Sequence, residues 1–308
     1  MGAVTALALS FDHTYVAVGH ATGYVQLYDL RSPKVPARVV APTTLAAVAS
    51  GRQEGHLAGS RIVSIGVIAG RHTALVSADD SGLAFYHRLG KVFLVDATDI
   101  LRILGKYPDE DVPEGPAALG HRLRRRKTRK PATILAMAPL PFGTSAHPTD
   151  AYNLIALLTP IKLVIVGLKP SPKTWYRRHR ESDDEVGSKS RFKGTLAWFP
   201  SVSLGADLTS AAERDSKKIQ ANGVHPSSTP TLVYSWGETL HLLKVTESKI
   251  TESVKDAKTG KVKTVEVGRM VFEEVGSWTA SDNVFALQWL NVNVGSFLLR
   301  RLCDQASH

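Results

Sequence analysis

Cysteine, methionine and aromatic residues are scarce in this chain of 308 residues: one Cys, three Met, and 7% Phe, Trp and Tyr together. The lone Cys303 excludes an intramolecular disulfide framework and a cysteine-rich zinc site, and it points to a reducing compartment. Motifs of small-molecule chemistry are missing as well. There is no G-x-G-x-x-G, no P-loop lysine and no H-E-x-x-H, so no dinucleotide fingerprint, phosphate cradle or zincin helix is expected. The eleven His are scattered; His20, His72 and His87 are expected at strand ends or turns, with none at ligand spacing from another. Asp79-Asp80 resembles a paired carboxylate, but DDSG is a turn sequence and neighbouring side chains there point apart. Ser145 and His147 lie close in GTSAHP without the G-x-S-x-G elbow of a hydrolase. The expectation is a non-enzyme with no catalytic residue, no cofactor and no metal.

Long apolar runs are also absent. The N-terminus, MGAVTALALSFDHTYVAV, lacks the basic region and continuous apolar core of a signal peptide, and Ala6 stands where a myristoylation signal needs Ser or Thr. The longest apolar stretch, YNLIALLTPIKLVIVGL (152–168), is interrupted at its centre by Pro160 and Lys162. It predicts two buried strands joined by a tight turn, not a membrane span. A cytoplasmic chain with no transmembrane segment is expected.

What is present is charge, locally concentrated. Thirty-eight basic against 28 acidic residues give a net charge of +10, yet seven of the cations lie in HRLRRRKTRK (121–130). Without that run the balance is 31 to 28, or +3, which is not the surface of a general nucleic-acid binder. Arg122, Arg124, Arg125, Arg126, Lys127, Arg129 and Lys130 therefore form a candidate basic interaction loop. YPDEDVPEG, shortly upstream, offers local neutralisation instead. A second patch, KTWYRRHR (173–180), interleaves Trp175 and Tyr176 with Arg, as base-stacking surfaces do. The acidic ESDDE that follows it predicts a solvated outer strand with compensating charge.

Strand signals recur in a fixed order. VTALALS, YVAVGH and YVQLYDL are separated by turns, and RIVSIGVI, TALVSA, LAFYHRL and KVFLVDA repeat the scheme. Gly23 and Gly82 mark equivalent turns that need positive φ. A third set is PATILAMAPL, NLIALL, KLVIVGL and TWYRRH. A fourth is GTLAWFP, TLVYSW, ETLHLLKV and VEVGRMVFEEV, and NVFALQWL opens a fifth. Four short strands per unit predict an all-β, WD-type β-propeller, incomplete, with about four four-stranded blades plus the first strand of a fifth. The units start near Val4, Arg61, Ala132, Gly194 and Asn283, wider apart than the blade length of about 40–45 residues. The excess is assigned to loops at 41–59, 103–130, 143–151, 180–193, 201–229 and 247–264. The partial propeller is expected over residues 1–291, and residues 292–308 form a divergent C-terminal tail. Missing blades predict an uncovered apolar flank and poor solubility.

Several stretches go beyond propeller grammar. SADDSGLAFYHRLGKVFLVDATDILRILGKYPDED (77–111), RRRKTRKPATILAMAPLP (124–141) and HPTDAYNLIALLTPIKLVIVGLKPSPKTWYRRHRESDDE (147–185) are the longest. With VPARVVAPTTLAAVASGRQEGHLAGSRIVSIG (35–66) and RFKGTLAWFPS (191–201), they resemble the fungal vacuolar protein sorting-associated protein 8 family. The likeness runs from about Ala3 to Asn291, covers the propeller near that family's N-terminus, and leaves the chain apparently truncated. What it implies is a subunit of the CORVET complex, which tethers early-endosomal membranes and works with Rab GTPases. Partners would be a Rab GTPase and other CORVET-type tethering subunits, at the periphery of the endosome or vacuole membrane. The alternative is a propeller that binds anionic membrane lipids or nucleic acid through 121–130, with nucleic acid the less favoured.

Overall fold

The computed structural model describes residues 1–92, 95–108, 133–181, 192–202, 228–255, 262–289 and 295–299. Strands come in sets of four, each set an antiparallel meander. The first sheet holds β1 (Val4–Leu9), β2 (Tyr15–His20), β3 (Val25–Asp29) and β4 (Arg38–Val40). The helix α1 (Leu45–Ala49) follows, its first turn capped by the Thr44 hydroxyl accepting from the Ala47 N–H. The second sheet holds β5 (Ile62–Val67), β6 (Ala74–Asp79), β7 (Ala84–Val92) and β8 (Val95–Leu104). The third is β9 (Ala136–Pro139), β10 (Leu154–Leu158), β11 (Lys162–Gly167) and β12 (Lys173–His179), with a 3-10 turn at Pro148–Ala151 before β10. The fourth is β13 (Gly194–Phe199), β14 (Thr231–Trp236), β15 (Thr239–Lys255) and β16 (Val262–Thr279). A fifth sheet holds β17 (Val284–Trp289) and β18 (Gly295–Leu299).

The sheets stack through their first strands: β1 packs on β5, β5 on β9, β9 on β13 and β13 on β17. A side chain bridges each step. Thr5 donates to the Ile62 carbonyl, Ser64 to that of Met137, Trp198 to that of Ala138 and Trp289 to that of Ala197. The turns after the first strands also meet, Phe11 stacking on His72 at 5.1 Å and Phe142 lying over Gly70. The first strands therefore run side by side in one direction, as in a propeller, and define two rims. The upper rim is where they begin and the lower rim where they end. Close approach at the axis uses small residues: a Cβ on Gly66 would lie 2.7 Å from the Pro139 ring.

Three apolar layers fill the gaps between successive sheets. Leu27, Ile62 and Leu75 lie between the first and second, Val76, Ile155 and Val164 between the second and third, and Leu158, Trp198 and Leu243 between the third and fourth. The segment 152–168 is the strand pair expected of it. Every residue of β10 is at most 1% exposed, and the Thr159–Lys162 turn joins it to β11. Among the described residues no helix is long and apolar enough to cross a membrane. Continuous apolar sequence arises here because both faces of the third sheet are covered.

Several expectations are corrected. The run KVFLVDA is divided between two strands, Lys91 pairing with Asp96 and Val92 with Val95, and the fourth strand of the second sheet continues to Leu104. The first sheet has a fourth strand, β4, which is only three residues long. The expected loop 247–264 is largely strand: β15 and β16 pair from Thr239↔Thr279 to Lys255↔Val262, a ribbon projecting from the lower rim beyond the end of β14. The fifth sheet has two strands, because β18 pairs with β17 where a single strand was expected. His87 lies inside β7, not at a strand end.

Candidate interaction surface and a buried polar cluster

Alternation of strand direction assigns every connection to a rim. At the upper rim each fourth strand ends and the next first strand begins (β4 and β5, β8 and β9, β12 and β13), together with the turns between second and third strands. The candidate basic loop falls in sequence between β8, which ends at Leu104, and β9, which begins at Ala136, and both of these strand ends are on this rim. Arg122, Arg124, Arg125, Arg126, Lys127, Arg129 and Lys130 themselves lie outside the described residues.

The second patch is the outer strand β12, and most of its side chains are already committed. Trp175 meets the edge of Tyr152 at 5.1 Å, and the Lys173 ammonium lies 4.6 Å above the Trp175 ring. Tyr176 stacks on Phe272 and donates to the Glu274 carboxylate at 2.7 Å. Arg178 pairs with Glu274 at 2.6 Å and donates to the Tyr234 hydroxyl at 3.0 Å. Glu274, on β16 of the next sheet, thus balances the charge of Arg178. Burial, then the Glu274 bond, pushes the Tyr176 phenol above its usual range, and burial pushes Tyr234 up to about 12. His241, stacked on Tyr234 at 4.9 Å, is pushed down to about 4, by burial first and then by Arg178. This strand is a seam between two sheets. Its half-buried Trp175 and Tyr176 are not free to stack on bases.

Residues far apart in sequence form the most elaborate polar site. His56, on the link from the first sheet, sets Nδ1 2.7 Å from Asp79 Oδ2 and Nε2 2.6 Å from Ser77 Oγ. Ser77 Oγ lies 2.6 Å from His87 Nε2 on the other side. Asp79 Oδ1 accepts from the Ser81 N–H, the Ser81 hydroxyl and the Leu83 N–H, which ties down the DDSG turn. Gly82 supplies the turn's φ of 89°, as expected from the sequence. A serine between a histidine and a histidine–aspartate pair has the composition of a hydrolytic triad. The exposures are 0% for Ser77, Asp79 and His87 and 2% for His56, so the hydroxyl faces no solvent, and both its sides are taken by rings. Its work is structural: it pairs His56, Ser77 and Asp79 with one another and one nitrogen of His87 with Ser77, leaving His87 Nδ1 without a partner among the described residues, and it ties His56 to the second sheet. Burial, with His56 beside it, pushes His87 down to about 3, so the ring is neutral near pH 7. A Gly-His pair before a strand, followed by Ser-x-Asp at a strand end, is the local signal that could have shown this cluster.

Repeated four-stranded meanders stacked through parallel first strands define an all-β, WD-type propeller, here not closed. Among the described residues no close packing joins the fifth sheet to the first. The chain belongs to the Vps8 β-propeller family, which matches residues 1–298. Among curated proteins none matches. Similar solved structures include a chain of the mitotic checkpoint complex, 15% identical over 93% of this chain and 54% of that one, with a TM-score of 0.43. The Swd1 β-propeller domain of Myceliophteria thermophila is 11% identical over 85% of this chain and 58% of that one, TM-score 0.39. The WD40 repeats of RRP9 are 8% identical over 79% and 48%, TM-score 0.39. The chain spans about half the length of these structures.

Proposed function

We propose that the chain is a non-catalytic interaction scaffold of a CORVET-like endosomal tethering complex, acting in endosome-to-vacuole protein transport. The observation that carries this reading is the family match over residues 1–298. The architecture supports it: a stack of sheets whose strands end at two rims, and loops at such ends are where repeat scaffolds meet partners. A Rab GTPase and other tethering subunits are the proposed partners, and the proposed location is the cytoplasmic surface of endosomal or vacuolar membranes. The test is retention of endosomal Rab proteins on the immobilised chain. Retention at least tenfold greater for the GTP-loaded form is expected, and equal retention of GTP and GDP forms removes direct Rab recognition by this region.

A second reading is favoured by where the basic run attaches. The strand ends on either side of it in sequence, Leu104 of β8 and Ala136 of β9, lie on the same upper rim as Lys162, which has no acidic partner among the described residues. In this reading Arg122, Arg124, Arg125, Arg126, Lys127, Arg129 and Lys130 hold anionic lipid headgroups, with affinity falling steeply as salt rises. Replacing Arg124, Arg125 and Arg126 with Glu should abolish sedimentation with phosphatidylserine vesicles. Unchanged sedimentation leaves the loop as a self-neutralised insertion.

A further inference from the structure

Ser or Thr precedes Pro at four places: Ser32-Pro33, Thr159-Pro160, Ser171-Pro172 and Thr229-Pro230. In sequence the strongest of these is TPIK (159–162), a hydroxyl followed by Pro with a cation three residues on. The fold reverses the order. Thr159 is 3% exposed, and its hydroxyl donates to the Lys162 carbonyl while accepting from the N–H groups of Ile161 and Lys162. Thr229 is half-buried beside a buried Pro230.

Ser32 and Ser171 are in the opposite situation. All of Leu30–Val35 are exposed, as are all of Pro170–Thr174. Both serines read Ser-Pro-Lys, with Lys34 and Lys173 two residues on. Both lie in the link between a third and a fourth strand, β3 to β4 and β11 to β12, so both open onto the lower rim. Neither hydroxyl has a hydrogen-bond partner among the described residues. Both serines lie in bends outside the strand ladders, and the following Pro disfavours helical backbone at each, leaving the segment open to a kinase cleft.

We propose that Ser32 and Ser171 are phosphorylation sites for a proline-directed Ser/Thr kinase. The γ-phosphoryl of ATP passes to the serine oxygen: the bond from Pγ to the ADP oxygen breaks, the Oγ–P bond forms, and the hydroxyl proton passes to the kinase's catalytic carboxylate. Each phosphate brings a charge of about −1.5 to −2. Arg31, Lys34, Lys169 and Lys173 flank the two sites, and Arg31 is already held by Asp29 at 2.6 Å. Double phosphorylation therefore cancels the positive charge around the two sites on the lower rim. That would act as a switch on whatever docks there, independent of the tethering reading.

The experiment treats the intact chain with a proline-directed kinase and Mg·ATP and maps phosphate by mass spectrometry. Synthetic peptides covering 27–38, 154–166 and 166–177 run in parallel. Two phosphates are expected, on Ser32 and Ser171, falling to one in Ser32→Ala or Ser171→Ala and to none in the double variant. Thr159 should be modified in its free peptide at least tenfold faster than in the folded chain. Modification of Thr159 in the chain at the rate of the two serines overturns the proposal. So does absence of phosphate on Ser32 and Ser171, whether or not their peptides are modified.

Discussion

The first and second sheets share one backbone design and differ in what supports it. Each has a second strand ending in a turn whose glycine, Gly23 or Gly82, takes φ 89°. In the second sheet the strand ends on Asp79, which joins Ser77, His87 and His56 in a closed, buried network. The equivalent end of the first sheet is His20, whose ring nitrogens lie at hydrogen-bond distance from the Gln26 side chain and the Gly2 carbonyl. The second sheet is covered on both faces, and β6 is buried throughout. On β1 of the first sheet Val4, Leu7 and Leu9 are 54–64% exposed, the apolar flank expected of an incomplete propeller. The equivalent first strand of the second sheet, β5, buries Ile62 and Ile65 and has no exposed residue, so burial of these apolar strands follows rank in the stack. In a stacked array each sheet gains stability from its neighbours, and a sheet with one neighbour gains half as much.

The sharpest way to break this comparison is at the residue that ends each second strand. Asp79→Ala strips an acceptor from His56, Ser81 and Leu83 at once and leaves buried donors unpaired. It should cost about 3–5 kcal/mol, against about 1 kcal/mol or less for His20→Ala. Urea midpoints of the two variants measure the gap, and equal losses would show that the network adds nothing beyond the turn. Next in size is the core contrast. Leu75 is fully buried between the first two sheets, and Leu75→Ala should cost about 3 kcal/mol through lost transfer energy and a residual cavity.

How far these features were legible depended on range. NLIALL and KLVIVGL were plain because strands covered on both faces need apolar residues throughout. Glycine turns were plain because φ near 89° restricts the residue locally. The strand β4 was missed because three residues, RVV, carry too little pattern. The β15–β16 ribbon was missed because VTESKITESVK has the polar composition of a loop, and only its pairing with VKTVEVGRMV makes it a strand. The buried cluster was missed because His56 meets Asp79 across 23 residues, a contact no local periodicity encodes. Balance of Arg178 by Glu274 was hidden for the same reason, while the acidic neighbours in sequence drew the expectation elsewhere.

The third prediction uses acid. His87 is held neutral, its value lowered from 6.5 to about 3 by burial and then by His56. Between those values the unfolded chain binds a proton that the folded chain refuses. Stability is therefore intact above about pH 6.5 and declines as pH falls toward 3, by a few kcal/mol. His241, lowered to about 4, acts in the same direction. Thermal unfolding from pH 7.5 to 4 should show that decline, and His87→Phe should flatten it while lowering stability at pH 7.5 through the lost Ser77 contact. An unchanged slope in His87→Phe would assign the acid sensitivity elsewhere.

The smallest expected effect on stability falls on the first sheet's open flank. Leu7 is 64% exposed, so truncating it to Ser removes little buried area and should change unfolding free energy by no more than about 0.5 kcal/mol. Its effect on solution behaviour should be larger. Leu7, Leu9 and Val4 share one strand at the axis, where a neighbouring sheet would lie in a closed ring, and contiguous exposed apolar surface drives self-association. Leu7→Ser with Leu9→Ser should raise the concentration at which light scattering begins, with the urea midpoint unmoved. The two readouts separate what folding requires of β1 from what its missing neighbour would have covered. If the midpoint falls as far as it does in Leu75→Ala, the first sheet is as tightly held as the second and rank in the stack does not set its stability.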